Sequence, residues 1–285
     1  MAVERRPVGR APVEPHELGR ACSGRPASPP INLHVRPLGV PTTREGTPFV
    51  LLHGLGVAGS VWSAFARRQL SDRTVIAPDL RGHGESPRSP DGAYDVTDYA
   101  ADVAGVIASR FAGGPVALVG HSLGGLVAIE VARAASHLVG HLVLLDPPLD
   151  PSHSREVVAT VARLREAPSP ALEEYVGGFH GVAAGAALGR LFRAADAGTF
   201  TSYLATPPGA ARAWLAAAFV IVPTLLVQAD VNVDGALRDE VADEFIRRLP
   251  RGQVVRIPGG AHAVHASHPS ETGAAIRALV DRSGQ

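Results

Sequence analysis

Short apolar runs recur along most of the chain and alternate with longer segments of helical periodicity. The runs read FVLLHG, TVIAPDL, VALVGHS, LVLLD and TLLVQAD and begin at residues 49, 74, 116, 142 and 224. The helical segments between them include residues 61–70, 96–110 and 123–135. A run without polar alternation is typical of a strand that is buried on both faces. The pattern therefore predicts an α/β fold with a mostly parallel central sheet and helices on both faces.

The residues before the first apolar run show two different patterns. Ile31, Leu33 and Val35 alternate with polar residues, which predicts a half-buried edge strand and the start of the folded domain. Residues 1–30 are rich in Pro, Arg and Gly and have no apolar periodicity. Such a segment cannot bury enough apolar surface to offset its ordering entropy, so we expect a flexible tail there.

The rhythm of strands stops after LLDPPLD and resumes only near TLLVQAD. Helical segments without a strand predict a helical cap at residues 147–219, inserted into a core of residues 31–146 and 220–285. The cap holds seven of the fourteen aromatic residues of the chain, namely Tyr175, Phe179, Phe192, Phe200, Tyr203, Trp214 and Phe219. These rings either pack the cap's own small core or line an apolar substrate pocket.

Composition and charge narrow the classes of function. The 27 basic and 27 acidic residues give a net charge of zero, so the chain has no electrostatic footprint for nucleic acid. Cys22 is the one cysteine, which excludes an intramolecular disulfide and fits a reducing compartment. The first residues lack the apolar region of a secretory signal, and apolar runs of membrane-spanning length do not occur. We therefore expect a cytoplasmic protein that acts on a small molecule, without a membrane or nucleic acid partner.

The clearest chemical motif is VALVGHSLGG, in which a buried strand runs into Gly120, Ser122 and Gly124 and then into the helical stretch LVAIEVARAA. A serine at such a strand-to-helix turn adopts unfavourable backbone angles, at a cost of about 1 to 3 kcal/mol. Small flanking residues leave room for that turn, which exposes the serine hydroxyl. The free amides and positive dipole end of the helix favour a developing oxyanion. Ser122 is therefore the predicted nucleophile.

Four segments, VLLHGLG, DLRGHGES, GHSLGG and PGGAHAVH, stand in an order and spacing that resembles the α/β-hydrolase superfamily. The resemblance extends over about residues 31–282 and is specific for the superfamily, but not for a substrate. It implies the α/β-hydrolase fold, a triad of serine, histidine and an acid, and an oxyanion hole built from two amides. It implies neither a metal nor an organic cofactor.

The resemblance also assigns roles to residues near the predicted nucleophile. In similar proteins the oxyanion is bound by the amide that follows the His-Gly pair, here Leu55, and by the amide that follows the nucleophile, here Leu123. His53 of LLHGLG usually braces its loop in this family. His83 of RGHGES and Asp79 of VIAPDL resemble further loop-bracing residues.

The base is expected after the last strand, in VVRIPGGAHAVHASHP. His262, His265 and His268 are spaced by three, a pattern that also suggests a metal site. Pro269 and the Gly-Gly turn argue against one continuous helix carrying all three, and an H-E-x-x-H motif is missing. In similar proteins the histidine that follows the Gly-rich turn is the base, which selects His262, while His265 supports the loop.

The usual place of the acid raises a difficulty. The commonest superfamily pattern, laid on VPTLLVQADVN, puts Ala229 at a glycine position and Asn232 at the acid position. An asparagine cannot carry the negative charge that stabilises an imidazolium. Asp230 and Asp234 flank it and are alternatives if the turn has a different shape.

A second location for the acid is the end of LVLLD, where Asp146 closes the strand that follows the nucleophile helix. Some α/β-hydrolases take their acid from this strand, whose carboxyl end lies beside the nucleophile strand. Because Pro147 and Pro148 follow, Asp146 could instead cap the next segment. Asp146 is the first candidate for the acid, ahead of Asp230 and Asp234.

These assignments predict a serine hydrolase that acts on a small or medium, largely apolar ester, lactone or related acyl compound. The missing acid at residue 232 keeps a second hypothesis open, a lyase, cyclase or C–C bond-cleaving enzyme on the same fold. A third is a ligand-binding protein that has lost catalysis. Epoxide hydrolases and haloalkane dehalogenases of this fold use an aspartate nucleophile, so Ser122 argues against both.

Overall fold

A computed structural model of the chain describes residues 28–39, 46–112, 114–167, 170–180, 182–205 and 208–284. The predicted flexible tail lies outside the described residues as far as residue 27. Seven strands of the described part form one sheet in the order β1-β3-β2-β4-β5-β6-β7. They are β1 (Val35–Gly39), β2 (Phe49–Leu52), β3 (Val75–Pro78), β4 (Val116–His121), β5 (Val139–Leu145), β6 (Thr224–Gln228) and β7 (Gly252–Arg256).

The sheet is mostly parallel, as the apolar runs predict. Strand β1 pairs antiparallel with β3 at one edge, and the pairings from β3 across to β7 are parallel. Strand β4 lies near the middle, between β2 and β5, and all of its residues are buried. The carboxyl ends of β4, β5 and β6 therefore meet at one edge of the sheet, where ligands usually bind in such folds.

The helices of the described ranges are α1 (Ser63–Gln69), α2 (Val96–Arg110), α3 (Leu123–Ala134), α4 (Pro151–Leu164), α5 (Ala171–His180), α6 (Val182–Ala194), α7 (Ala197–Ala205), α8 (Pro208–Ala216), α9 (Asp239–Arg248), α10 (Val264–Ser267) and α11 (Pro269–Val280). Helices α2 and α3 match the predicted segments closely. The first predicted helix is divided into a 3-10 turn at Gly59–Trp62 and α1.

Strand β2 shows how the two faces of the sheet are covered. Val50 and Leu52 belong to the apolar cluster shared with α2, α3 and α9, whereas Phe49 and Leu51 belong to the cluster shared with α1 and α11. Successive side chains of a strand point to opposite faces, so a continuous apolar run needs helices on both sides. The prediction of a doubly covered sheet is therefore confirmed.

The edge strand begins later than the alternating pattern suggests. The amide of Ser28 donates to the carboxylate of Asp98 at 2.7 Å, and the amide of Ile31 donates to Asp102 at 2.8 Å. Both acceptors belong to α2, so this stretch is held against a helix instead of pairing with β3. The strand consequently starts at Val35 and not at Ile31, and the alternation overestimates its length.

The segment between β5 and β6 contains helices α4 to α8, joined by turns, and its described residues include no strand. Its own apolar cluster joins Val161, Leu172, Val176, Ala195 and Phe200, with Tyr175 and Phe192 packed against it. Trp214 packs instead against Phe245 of α9, with ring centroids 5.2 Å apart. Phe219 is 69% exposed, and the side chain of Phe179 lies outside the described part. The aromatic residues of the predicted cap thus lie in different environments and do not share one role.

Candidate active site

Ser122 occupies a strained turn between β4 and α3. Its φ of 53° and ψ of −121° are unfavourable for a residue with a side chain. Two glycines let the chain turn this sharply. A β-carbon on Gly120 would lie 2.2 Å from the Gly124 carbonyl oxygen, and one on Gly124 would lie 2.5 Å from the Leu52 carbonyl oxygen. The turn thus needs the spacing of Gly120, Ser122 and Gly124 that the motif provides, and Ser122 remains partly exposed.

Two segments with predicted oxyanion donors adjoin Ser122, the first turn of α3 and the loop of Gly54. Leu123 is the first residue of α3, and the amide of a first helical residue has no partner inside the helix. The other loop is close because a β-carbon on Gly54 would lie 3.3 Å from the Ser122 β-carbon. Leu55 follows Gly54 in that loop. The loop of Gly54 and Leu55 and the first turn of α3 therefore both lie beside Ser122, and the assignment of the Leu55 and Leu123 amides as oxyanion donors stays a prediction.

His53 fixes the direction of the Leu55 amide. The Nδ1 atom of His53 donates to the Gly54 carbonyl at 2.7 Å, and its Nε2 atom accepts from the Leu80 amide at 2.9 Å. The carbonyl of Gly54 and the N–H of Leu55 belong to one trans peptide and point in opposite directions. His53 therefore turns the Leu55 N–H away from the buried side of the loop.

The two bonds of His53 also define its protonation. Because one ring nitrogen donates and the other accepts, the ring is the neutral tautomer with its proton on Nδ1. Burial lowers the pKa of His53 from 6.5 to about 4, so the ring stays neutral at physiological pH. This agrees with a bracing role for His53 and not with a role as the base.

The cap contacts the same loop. Gly56 has a φ of 78°, and a β-carbon there would lie 2.2 Å from Phe192 and 2.9 Å from Phe200. Phe192 and Phe200 lie 6.4 Å apart, and the guanidinium of Arg165 lies 4.8 Å above the Phe200 ring. The side chain of Leu55 packs against the same cap cluster. An apolar surface of the cap is thus in direct contact with the loop that carries Leu55.

The structure brings His262 and Asp146 together. The Nδ1 atom of His262 lies 2.6 Å from Oδ2 of Asp146, whose side chain is fully buried. Asp146 directly follows Leu145, and the Leu145 carbonyl accepts the amide of Ser122 at 3.0 Å. The carboxylate therefore lies at the end of the strand next to the nucleophile turn. The contact with Asp146 is made by Nδ1 of the His262 ring and not by Nε2.

Asp146 is held in place by more than the histidine. Its φ of 44° is in the left-handed region, which aspartate tolerates better than most residues. Its two oxygens accept the amides of Ala229 at 3.3 Å and Ala236 at 2.7 Å. Helix α4 begins only at Pro151, so the observed bonds of Asp146 point towards the site and not towards a cap of the next segment.

The two alternative acids contact backbone atoms of the loop that carries His262. The carboxylate of Asp230 accepts the amides of Gly259 and Asn232, each at 2.9 Å, and the Asn232 side chain at 3.0 Å. The carboxylate of Asp234 accepts the backbone amide of His262. Both therefore hold the Gly-rich turn and its histidine from the turn after β6, while the ring of His262 bonds Asp146.

The carboxylates of Asp146 and Asp234 influence the pKa of His262. Burial by itself would lower the pKa of His262, but its hydrogen bond to the Asp146 carboxylate and the charges of Asp146 and Asp234 raise it above 6.5. The side chain of His262 is 28% exposed, so a substrate group can reach it. Its charged form is favoured more than in water, which suits a group that must accept a proton from a hydroxyl.

Asp79 and His83 occupy bracing positions. The carboxylate of Asp79 accepts the amides of Gly59 at 2.7 Å and Glu85 at 2.9 Å. Burial would raise its pKa, but these two amides and further contacts lower it. His83 bonds the Arg81 carbonyl at 2.9 Å, and burial together with the neighbouring His53 lowers its pKa to about 3. Neither side chain presents a group suited to proton transfer.

The other two histidines of the HAVHASH segment diverge from the first. The ring of His265 packs against Trp62 at 4.1 Å and against His121 at 4.9 Å. Helix α10 ends at Ser267, and the Nδ1 atom of His268 lies 3.2 Å from that residue's hydroxyl. The turn at His268 separates α10 from α11, so the three histidines do not lie along one helix.

One group of possible metal ligands in the described residues is His34, Asp79 and Glu85, whose ligand atoms lie within 4.8 Å of one another. Arg36 already supplies a positive charge there. Its guanidinium lies 2.9 Å from Glu85 and 3.8 Å from Asp79. This group is better described as a network of ion pairs than as a metal centre.

Sequence reasoning did not find several contacts of the site. The amides of Ala229 and Ala236 bind Asp146, but a backbone donor leaves no trace in the identity of its residue. The sequence offers Asp234 as an alternative acid, whereas its carboxylate binds the main chain of His262. The crowding of acidic residues after β6 was the available signal, and it pointed to the right turn without giving the right partner.

The chain belongs to the alpha/beta hydrolase family, whose model matches residues 49–275. Among curated proteins, it is 40% identical over 131 residues to lipase LipV of Mycobacterium tuberculosis. That match covers 45% of this chain and 47% of LipV, so the chain spans about half the length of this relative.

Two solved structures match over most of their length. A thermophilic esterase from Thermogutta terrifontis has 25% identity and a TM-score of 0.71, with 89% of this chain and 94% of the esterase covered. E-2-(acetamidomethylene)succinate hydrolase has 28% identity and a TM-score of 0.69, with 87% of this chain and 95% of the hydrolase covered. In the part of the chain that the structure describes, no helix has the length and apolar character to cross a membrane.

Proposed function

We propose that this chain is a serine hydrolase that cleaves a small or medium, largely apolar ester, lactone or related acyl compound through an acyl-enzyme on Ser122. The observation that carries the proposal is the 2.6 Å contact between Nδ1 of His262 and the buried carboxylate of Asp146, next to the strained turn of Ser122. The names of the similar proteins, a lipase, an esterase and a succinate-derivative hydrolase, support hydrolysis in general.

The first half of the reaction forms the acyl-enzyme. Nε2 of His262 takes the proton of Ser122 as its oxygen attacks the carbonyl carbon, and Asp146 stabilises the imidazolium. The amides of Leu55 and Leu123 bind the oxyanion, and the loss of one such donor typically costs about 2.7 to 4 kcal/mol. The carbon–oxygen bond to the leaving group then breaks, and the imidazolium returns its proton to the departing alcohol.

The second half releases the acid. Water gives a proton to His262 as it attacks the acyl carbon, and the oxyanion forms again between the same two amides. Collapse breaks the bond to Ser122, which recovers its proton from His262. Every group in this scheme is supplied by the chain itself.

The contact between the cap and the oxyanion loop supports a largely apolar substrate. Leu55, Phe192 and the buried Phe200 pack together beside Gly56, and Leu55 and Phe192 are partly exposed there. Burial of apolar area contributes about 25 cal/mol per Å², so an acyl chain placed on this surface gains affinity with length. Because Leu55 also contacts the cap cluster, we infer that the cap takes part in the choice of substrate within this class.

A fluorophosphonate probe tests the mechanism, because it reacts with activated serines. We expect stoichiometric labelling of Ser122 in the wild-type protein and its loss in Ser122→Ala, measured by mass spectrometry of the labelled peptide. The matched control is Ser136→Ala, which changes an exposed serine at the far end of α3. Folded protein that stays unlabelled while hydrolysing no member of a panel of p-nitrophenyl esters and lactones would count against hydrolysis and in favour of a lyase or a silent binding protein.

A further inference from the structure

We propose that His121 is a positioning residue that holds His262 in register with the nucleophile turn. The inference rests on the proposed function, because it assigns a role in the same reaction to a residue outside the triad. His121 is the last residue of β4 and directly precedes Ser122. A contact from His121 to the base therefore joins the two loops that must stay aligned for proton transfer.

The first observation is a hydrogen bond between the two histidines. Nε2 of His121 lies 3.1 Å from the backbone carbonyl of His262. A carbonyl oxygen only accepts, so Nε2 of His121 carries the proton and donates it. The donor belongs to a side chain that is 7% exposed, where water competes little for this bond.

The second observation is the packing of the rings. The ring centroids of His121 and His262 lie 4.7 Å apart. On its other side His121 packs against His265 at 4.9 Å, and His265 packs against the fully buried Trp62 at 4.1 Å. A row of rings thus runs from the core to the base and limits the tilt of the His262 imidazole.

Together these contacts fix the three polar groups of His262 that do not exchange a proton with Ser122 in the proposed reaction. Its backbone N–H donates to Asp234, its carbonyl accepts from His121, and its Nδ1 atom bonds Asp146. The remaining nitrogen, Nε2, is then held in one direction. A displacement of about 1 Å in such an arrangement costs roughly 10²-fold in rate, which sets the scale of the expected effect.

Two amide substitutions separate the hydrogen bond from mere space filling. The side-chain nitrogen of His121→Gln reaches about as far as Nε2, whereas that of His121→Asn stops near the position of Nδ1. We expect His121→Asn to lower kcat on p-nitrophenyl acetate about 10- to 100-fold with KM within about threefold. We expect His121→Gln to stay within about threefold of wild type, because its donor still reaches the carbonyl.

The matched control is His137→Ala, which changes an exposed histidine just beyond the opposite end of α3. Rates are expressed per active site, titrated with the fluorophosphonate probe, so that a loss of folded protein does not count as a loss of rate. Among the described residues, the titratable groups Asp146, Asp234 and His121 contact His262, and a looser ring weakens its bond to Asp146. We therefore also expect the acid midpoint of kcat/KM to fall in His121→Asn and to stay unchanged in His121→Gln.

The outcomes are separable from those of the proposed function. One outcome is that the probe labels Ser122 of the wild-type protein while His121→Asn and wild type have equal rates. That outcome would overturn the positioning role but would leave the proposed hydrolase function standing. Equal losses in His121→Asn and His121→Gln, with no shift of the midpoint, would also overturn it, because the donor would then make no difference. A wild-type protein that the probe does not label contradicts the proposed function itself.

Discussion

The ends of β5 and β6 lie side by side, and each presents aspartates to the same histidine loop, but in different ways. The carboxylate of Asp146 at the end of β5 is fully buried and bonds the ring of His262. The carboxylates of Asp230 and Asp234 in the turn after β6 bond main-chain amides of the loop. A carboxylate at the end of β5 thus binds the ring of His262, and carboxylates after β6 bind the backbone of its loop.

The difference shows that the position of an acid in the sequence does not determine its role. The left-handed backbone of Asp146 directs its side chain towards the ring, and the amides of Ala229 and Ala236 hold it there. These two amides come from the turn after β6. The turn therefore acts as the support of the proposed acid, while its own carboxylates support the base.

The largest expected effect comes from removal of the charge on Asp146. Asp146→Asn keeps the shape of the side chain but leaves the imidazolium without its counter-charge, and its amide can fix the wrong ring tautomer. We expect kcat to fall about 10³- to 10⁴-fold. Asp230→Asn should change kcat less than about fivefold, because that carboxylate bonds the exposed turn. The measurement is steady-state hydrolysis of p-nitrophenyl acetate, and a larger loss in Asp230→Asn than in Asp146→Asn would show that the proposed acid is wrong.

An intermediate effect is expected at Asp234. Asp234→Asn retains an acceptor for the His262 amide but removes the charge that helps to raise the pKa of His262. The base must be neutral to act, so activity rises with pH through this pKa, and the acid midpoint of kcat/KM should fall in the variant. Asp234→Ala also leaves the amide without its acceptor, and we expect an additional loss of roughly 10-fold in kcat. A pH profile that is identical in all three proteins would mean that Asp234 plays no part in the site.

The smallest effect is expected from an attempt to move the acid to its common place. Asn232→Asp in the Asp146→Asn background restores a carboxylate to residue 232, but that side chain is exposed and bonds Asp230. We expect the double variant to stay within about threefold of Asp146→Asn, since an exposed carboxylate that does not reach the ring gains little. Recovery of 10-fold or more would show that the turn rearranges to present the acid, and that the two strand ends are interchangeable.

Most of the fold could be predicted, because short continuous apolar runs are typical of strands that are buried on both faces of a sheet. The runs at β2 to β6 require burial on both faces. The backbones approach so closely at Gly120 and Gly124 that only glycine fits there. The beginning of β1 could not be predicted, because the amides of Ser28 and Ile31 are taken by carboxylates about 70 residues away in the sequence.

The site was predictable to a different degree at each residue. Ser122 stands out because its motif encodes a strained turn, and His262 because it follows the Gly-rich turn after the last strand. The partner of the His262 ring depends on distances between strand ends, which only the folded chain determines. The role proposed for His121 could not be predicted, because its bond to the His262 carbonyl depends on the folded loops and not on the sequence beside Ser122.

The contact between Gly56 and the cap has a consequence for protein engineering. Cap segments of this fold invite exchange between family members as a route to new substrates. Here Phe192 and Phe200 lie so close to Gly56 that a single methyl group would not fit. A transplanted cap would have to reproduce that aromatic surface, or the loop carrying Leu55 would lose its support. The cap and the loop of Gly56 are therefore expected to tolerate redesign only when both are changed together.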